Sequence, residues 1–427
     1  MKINNIGKAM KISDIRVKQI EDFEELSANI SASTSRHGDF RVWFRITKEF
    51  TYSHITGDPF LAGFLIPCMY AGENLHIEAP VSEFLLKNIS TIQSILTKWY
   101  PNLKEISVSC TETYDSLINN NNGQKGCFFS LGLDSWYSFL KNQDTISHLI
   151  LIQGADIHNN ELWLSTKQIA ENIAQYFGKK LITVQTNLRS RTDFSKLEMV
   201  WGKYYDDDFF GEYSHGSFLA AIGLCLTGKI SEVFIPSSRP YSYLEPWGSH
   251  PLLDPLWSTQ NLTLIHDGCE SNRIEKIKRQ VAKSEIALKT LRVCYSNTPK
   301  QLYNCCQCEK CLRTMMALRA CKVLELATSF HEVLDLSRVE VLVLKQKQRR
   351  FYEQIKCEAD VIGDKELVHV NKVVLGEKFS LYRFYINKIK NKMWIITEVL
   401  QKVKYIIVNL LRDVFILNFL KKSSRKA

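Results

Sequence analysis

Five of the chain's twelve cysteines fall between Cys294 and Cys311. Cys305, Cys308 and Cys311 follow a Cys-x2-Cys-x2-Cys spacing, and Cys294 stands eleven residues upstream. Four thiolates so placed can close a tetrahedron around one Zn²⁺, leaving no open position for catalysis. A disulfide knot suits small secreted domains, and a 427-residue chain with no leader-like apolar segment fits that class poorly. An iron–sulfur cluster would use similar thiolates, but nothing else in the sequence argues for electron transfer. Cys294, Cys305, Cys308 and Cys311 are therefore expected to hold a structural zinc ion.

A second candidate is the stretch Ser130-Leu131-Gly132-Leu133-Asp134-Ser135. It joins the strand-like GCFFS to the helix-like DSWYSFLKNQ. A glycine there permits close backbone approach, and the helix that follows offers free N–H groups and a positive dipole end to an anion. Ser130 and Ser135 add hydroxyls. The Gly-x4-Gly-Lys-Ser/Thr phosphate loop of ordinary ATPases is absent. Taken alone, such a turn can equally well cap a helix.

The surrounding elements give the turn a place. From residue 124 onward, strands and helices alternate: HLILIQG, ELWLSTKQIAENIAQYFG, KLITVQTN, HGSFLAAIGLCLTG and EVFIPSS follow in order. That alternation predicts an α/β fold with a parallel sheet covered on both faces, and ligands beyond the carboxyl ends of its strands. Before it, FRVWFRI and FLAGFLIPCMY read as strands, VSEFLLKNISTIQSILTKWYP as a helix stopped by Pro101, and LKEISVSC as a strand. The run Asn119–Asn122 reads as a loop or boundary. The predicted division is an N-terminal α+β unit over 1–118, a central domain over 124–330 and a mostly helical region over 331–427.

Charge is concentrated at one end. Residues 377–427 carry twelve Lys or Arg against three acids, which leaves the rest of the chain near neutral. A general nucleic-acid binder would carry the charge on its main body, so nucleic acid is disfavoured as a partner. Val399, Val403, Ile406, Leu410, Val414 and Leu417 recur at helical spacing in the tail. Lys402, Lys404, Arg412 and Asp413 interrupt the run, which excludes a membrane span of ~20 apolar residues. The tail reads as a helix packed on the body or on a second copy of the chain, with an interfacial helix on an anionic membrane as the competing reading. The expected location is the cytoplasm, with peripheral membrane contact through that tail.

The Ser130–Ser135 turn resembles the Ser-Gly-Gly-x-Asp-Ser loop of the PP-loop ATP pyrophosphatases. Within them it is most similar to the 7-cyano-7-deazaguanine synthase group. There a zinc site follows the nucleotide domain, with one upstream cysteine, then Cys-Gly-x-Cys-x2-Cys and an arginine two residues on. Here the matching order is Cys294, then Cys305-Cys306-Gln307-Cys308-Glu309-Lys310-Cys311 and Arg313. The likeness spans about Gly126 to Leu326. Leu131 stands at the loop's second glycine and Cys306 at the glycine of the zinc motif, where it is expected to be a spare thiol.

The resemblance implies a Rossmann-like domain that binds ATP and Mg²⁺ and splits ATP between its α- and β-phosphates. Backbone amides of Ser130, Leu131, Gly132, Leu133, Asp134 and Ser135 would hold pyrophosphate, with Asp134 orienting the loop or acting through the metal and Ser135 beside it. Gln153 and Gly154 would lie near adenosine. His215 and Gly216, which open a helix, would meet substrate or phosphate unless His215 merely neighbours a helix cap. Arg273 and Lys276 would meet phosphate unless RIEKIKRQ is a solvated helix face. Asp206, Asp207 and Asp208 suit either Mg²⁺ or an acidic solvent loop. The implied activity is adenylation of a small-molecule or sugar-derived carboxylate, or of an amide, followed by ligation. The alternatives are a catalytically weak nucleotide- and zinc-binding module recruited to a membrane assembly, and a tRNA-modifying sulfur-transfer enzyme. The latter needs a reactive cysteine, yet Cys127 and Cys225 read as small buried hydrophobes.

Overall fold

The computed structural model describes residues 9–32, 39–50, 52, 54–116, 123–192, 209–294 and 303–376. Asn119–Asn122, Asp206–Asp208 and the basic tail from residue 377 lie outside the described residues. Contacts divide the chain into one unit up to Val333 and a second beginning at Leu334. In the second unit the described helices are α10 (Leu336–Glu340), α11 (Gln346–Val361) and α12 (Lys365–Val374).

The first unit is built on one ten-stranded sheet. Its strands are β1 (Ala9–Ile20), β2 (Phe23–Ala32), β3 (Phe40–Thr47), β4 (Asn74–Ser82), β5 (Val108–Tyr114), β6 (Lys125–Phe128), β7 (His148–Gln153), β8 (Lys180–Thr186), β9 (Glu232–Pro236) and β10 (Thr263–Asp267). Across the sheet they run β10-β9-β6-β7-β8-β3-β2-β1-β4-β5, and most pairings are parallel. The fold is thus α/β, and the strands on either side of Asn119–Asn122 belong to a single sheet. The central strands β6 to β10 are all parallel, and counted from β6 their spatial order is 3-2-1-4-5. The same order recurs in β1 to β5. The two sets meet where β3 pairs antiparallel with β8, bringing Phe44 opposite Thr186. Since β1, β4 and β5 run opposite to the central strands, their carboxyl ends and those of the central set emerge at opposite ends of the sheet.

The helices of this unit are α1 (Asp58–Ala71), α2 (Glu83–Trp99), α3 (Leu133–Lys141), α4 (Asn160–Tyr176), α5 (Leu188–Thr192), α6 (His215–Leu224), α7 (Arg273–Arg279), α8 (Glu285–Thr290) and α9 (Glu309–Ala320). The run FLAGFLIPCMY, expected as a strand, is helix α1. Pro59 sits in its first turn, where no N–H partner is lost, and Gly72 ends it with φ of 68°. Almost every residue from Asp58 to Met69 is buried, so the helix shows no polar face by which its period can be read. By contrast α2 starts where expected, capped by Ser82 Oγ accepting from Leu85 N–H, and ends at Trp99 before Pro101. Among the described residues, no helix is long and apolar enough to cross a membrane.

Phe44 marks the seam between the two strand sets. It is fully buried and meets Phe60 of α1 edge-on at 5.7 Å between ring centroids. Truncation there removes a large ring that facing strands cannot collapse to replace. Phe44→Ala is expected to destabilise the unit by about 3–5 kcal/mol in urea unfolding. A loss below about 1 kcal/mol would show that the seam is not part of the stabilising core.

Candidate functional site

In an open parallel sheet, the crevice between strands whose connections leave in opposite directions is a natural ligand site. Here it lies between β6 and β9, and the Ser130–Ser135 turn stands at its mouth. The chain leaves β6, exposes Ser130, and turns through Leu131, which has a left-handed φ of 61°. The Leu131 and Leu133 side chains are buried. What the turn presents is therefore backbone, together with the unpaired N–H groups of the first turn of α3. From outside, Arg292 N–H donates to the Leu131 carbonyl at 2.8 Å. Ser135 Oγ donates to the Gly132 carbonyl at 2.9 Å, so its proton is used inside the turn.

Asp134 organises the charges around the turn. One carboxylate oxygen accepts from Lys276 Nζ at 2.9 Å and the other from Arg273 Nη2 at 3.3 Å. Burial would raise the Asp134 pKa, but Lys276 and Arg273 outweigh it and hold the carboxyl at about 2. Lys276 also donates to the Ser237 carbonyl just past β9 and is itself only 1% exposed, so the reading of RIEKIKRQ as a solvated face fails at this residue. Helix α7 delivers both cations, its start fixed by a capping box between Asn272 and Glu275. Lys310 lies within electrostatic range of Asp134, Arg273, Arg313 and Asp156, and burial pushes its pKa down to about 7. Lys310 and Arg313 both belong to the first turns of α9.

That helix begins at the cysteine cluster. The sulfurs of Cys294, Cys305, Cys308 and Cys311 all lie within 4.8 Å of one another, so the four expected ligands do come together. Cys308 is the N-cap of α9, and its N–H donates to Cys305 Sγ at 3.3 Å. Cys306 has a left-handed φ of 54° and directs its sulfur to the Asn304 carbonyl and His331, outside the cluster. Hydrogen bonding to Cys294 pushes the Cys308 thiol up. Buried Asn304 ties the two arms of the knob together. Its Oδ1 accepts from Val293 N–H, and its Nδ2 donates to the carbonyls of Leu291 and Ser329. Sequence reasoning missed Asn304 and Lys310, although a helix starting at Cys308 would have placed Lys310 and Arg313 on one side.

Gln153 and Gly154 stand beside the turn at the end of β7, the neighbour of β6. Gly154 has φ of 102°, and a Cβ there would meet the Thr186 carbonyl oxygen at 2.0 Å, so only glycine fits. Gly216 serves packing: a Cβ would strike Asp254 and the Gly248 carbonyl, to which the Gly216 N–H donates at 2.9 Å. His215 lines a separate narrow cleft with Ser237, Arg239, Trp247, His250 and His266, past the ends of β9 and β10. Cys127 and Cys225 are buried, and burial pushes both thiols well above their usual range. No family model matches the chain, and no curated protein or solved structure matches it.

Behind the cleft, His266 Nδ1 bonds Asp254 Oδ2 at 2.6 Å, and Asp254 also accepts from Ser249 Oγ at 2.7 Å. Burial alone would lower the His266 pKa, but the bonds to Asp254 and Cys269 raise it to about 9. A raised imidazole pKa means that this pair contributes fully below pH 6.5 and is lost as pH rises through about 9. Stability is expected to fall by about 3 kcal/mol over that window, and Asp254→Asn should flatten the slope. Urea unfolding at a series of pH values tests this; equal slopes in both proteins would contradict it.

Proposed function

We propose that the chain is an ATP-dependent, AMP-forming ligase of the PP-loop type that adenylates a small-molecule carboxylate or amide. The observation that carries the reading is the gathering at one turn, at the β6/β9 crevice, of the backbone N–H groups that start α3 and the basic side chains Arg273 and Lys276 held on Asp134, with Lys310 within electrostatic range. Such an arrangement suits a polyphosphate, whose charge on departure needs fixed donors and cations. The 3-2-1-4-5 order of the central strands supports a Rossmann-like assignment. So do the two departures from the family pattern. Leu131 and Cys306 stand where that pattern has glycine, and both adopt the left-handed backbone that a glycine would favour.

In this reading an oxygen of the acceptor attacks the α-phosphorus of ATP. The bond to the bridging oxygen of the β-phosphate breaks, and pyrophosphate leaves into the turn. A nitrogen nucleophile then displaces AMP from the activated carbon. Arg273 meets the leaving phosphates, while fully buried Lys276 fixes the position of Asp134 and of the strand end at Ser237. Asp134 is engaged by two cations and does not offer the open carboxylate that Mg²⁺ favours. It acts by orienting Arg273 and Lys276. The buried thiols of Cys127 and Cys225 weigh against sulfur transfer.

The cysteine cluster fits Zn²⁺. Four sulfurs about 2.3 Å from one ion lie about 3.8 Å apart. Cys294 and Cys308 are separated by 3.9 Å, as are Cys305 and Cys311. Bound zinc would supply structure, fixing the start of α9 and with it Lys310 and Arg313.

Mg·ATP is expected to raise the melting temperature of the native chain, and Arg273→Gln to weaken its binding at least tenfold, about 1.4 kcal/mol. Calorimetric titration that finds no nucleotide binding to the native chain would refute the assignment. For the knob, elemental analysis should find one zinc per chain. Cys308→Ser should lose it, melt at lower temperature and bind Mg·ATP more weakly. A zinc-free chain of undiminished stability would contradict the structural role.

A further inference from the structure

The segment Leu291–Cys294 is a strap between the cysteine knob and the Ser130–Ser135 turn. At one end, Arg292 N–H donates to the Leu131 carbonyl at 2.8 Å. At the other, Cys294 is one of the four clustered thiols. Asn304 grips the strap on both sides of Arg292. It accepts from Val293 N–H at 2.9 Å and donates to the Leu291 carbonyl at 2.8 Å, and a further bond to the Ser329 carbonyl at 3.2 Å anchors it. Asn304 is fully buried, and the Leu291 and Arg292 residues it brackets are buried with it. The next residue along the chain is Cys305, a second member of the cluster, so the place of Asn304 depends on how the knob is closed.

Leu131 is the residue on which that grip acts. Glycine adopts its φ of 61° freely, whereas a leucine adopts it only against strain. A strained backbone persists where its surroundings over-determine it. Here the surroundings include a hydrogen bond to the Leu131 carbonyl that comes from the strap, 161 residues later in sequence.

We infer that the cysteine knob controls the turn through this strap, with Asn304 as the positioning residue that transmits the knob's state. When Cys294 and Cys305 are drawn together on Zn²⁺, Asn304 and the strap are set and Leu131 is held left-handed. When the knob opens, Arg292 leaves the Leu131 carbonyl. Leu131 then relaxes to a negative φ, which turns the neighbouring backbone N–H groups away from an anion. A glycine at this position would make the turn independent of the knob; the leucine makes it conditional. The inference rests on the nucleotide reading for what the turn binds, and on the strap alone for the control.

Leu131→Gly supplies the test, because glycine holds the left-handed turn without the strap. Mg·ATP is titrated calorimetrically into the native chain, Asn304→Ala, Leu131→Gly and the double variant. Asn304→Ala is expected to weaken Mg·ATP binding at least tenfold in the native background and less than threefold in the Leu131→Gly background. Equal losses in the two backgrounds, or no loss in a folded Asn304→Ala chain, would overturn the inference. If Asn304→Ala does not fold, the native and Leu131→Gly chains stripped of metal by a chelator take its place, with the same expectation. Amide hydrogen exchange in the full chain gives a readout that needs no nucleotide. The peptide over residues 129–136 should exchange at least tenfold faster in Asn304→Ala, or in the stripped native chain, while β7 and β8 keep their native rates. Unchanged exchange there would sink the control by the knob even if Mg·ATP binds. Faster exchange in a protein whose native form binds no Mg·ATP would keep that control and remove the ligase.

Discussion

Asp134 ties together charged side chains that lie far apart in sequence. It stands at the start of α3, and the cations it binds come from α7, more than 130 residues later. Lys276 extends the link to the end of β9, and Lys310 brings in the helix of the cysteine knob. Removing one partner from a buried ion pair costs about 3–5 kcal/mol, because the remaining charge stays desolvated. The cluster therefore fixes the positions of its members before any ligand arrives. Preorganised charge of this kind stabilises developing negative charge without reorganisation at the moment of reaction.

The turn shows how a sequence can depart from a backbone requirement without losing the backbone. A non-glycine residue held at positive φ costs on the order of 1–3 kcal/mol. Burying a leucine side chain contributes about 1.5–3 kcal/mol. At Leu131 the two terms are comparable, and the hydrogen bond from Arg292 to its carbonyl adds to the favourable side. Cys306 faces the same conflict and has a smaller side chain to bury, which packs between Asn304 and His331.

Much of the central α/β pattern is legible because each element there is strongly marked. Buried β7 carries the continuous apolar run Leu149–Ile152, β8 is rich in β-branched residues, and α4 carries a polar face and an Asn159 cap. The cysteines are legible for a different reason, since metal-ligand spacing is local. Other features depend on partners far away in sequence. The helix α1 hides its period because neighbours cover it on all sides, and β1 hides its strand because only its first few residues alternate between buried and exposed. Lys276 sits among charged residues that point to solvent, and nothing near it in sequence reveals Asp134. The cleft around Arg239 was invisible for the same reason, its walls coming from separate loops.

The joining of β3 to β8 also bears on how the chain is made. Thr186 Oγ1 donates to the Trp43 carbonyl across 143 residues of sequence. During synthesis β3 can pair with β2, but its other edge has no partner until β8 has left the ribosome. An unpaired strand edge is a template for pairing with other chains, and contacts this distant in sequence form slowly.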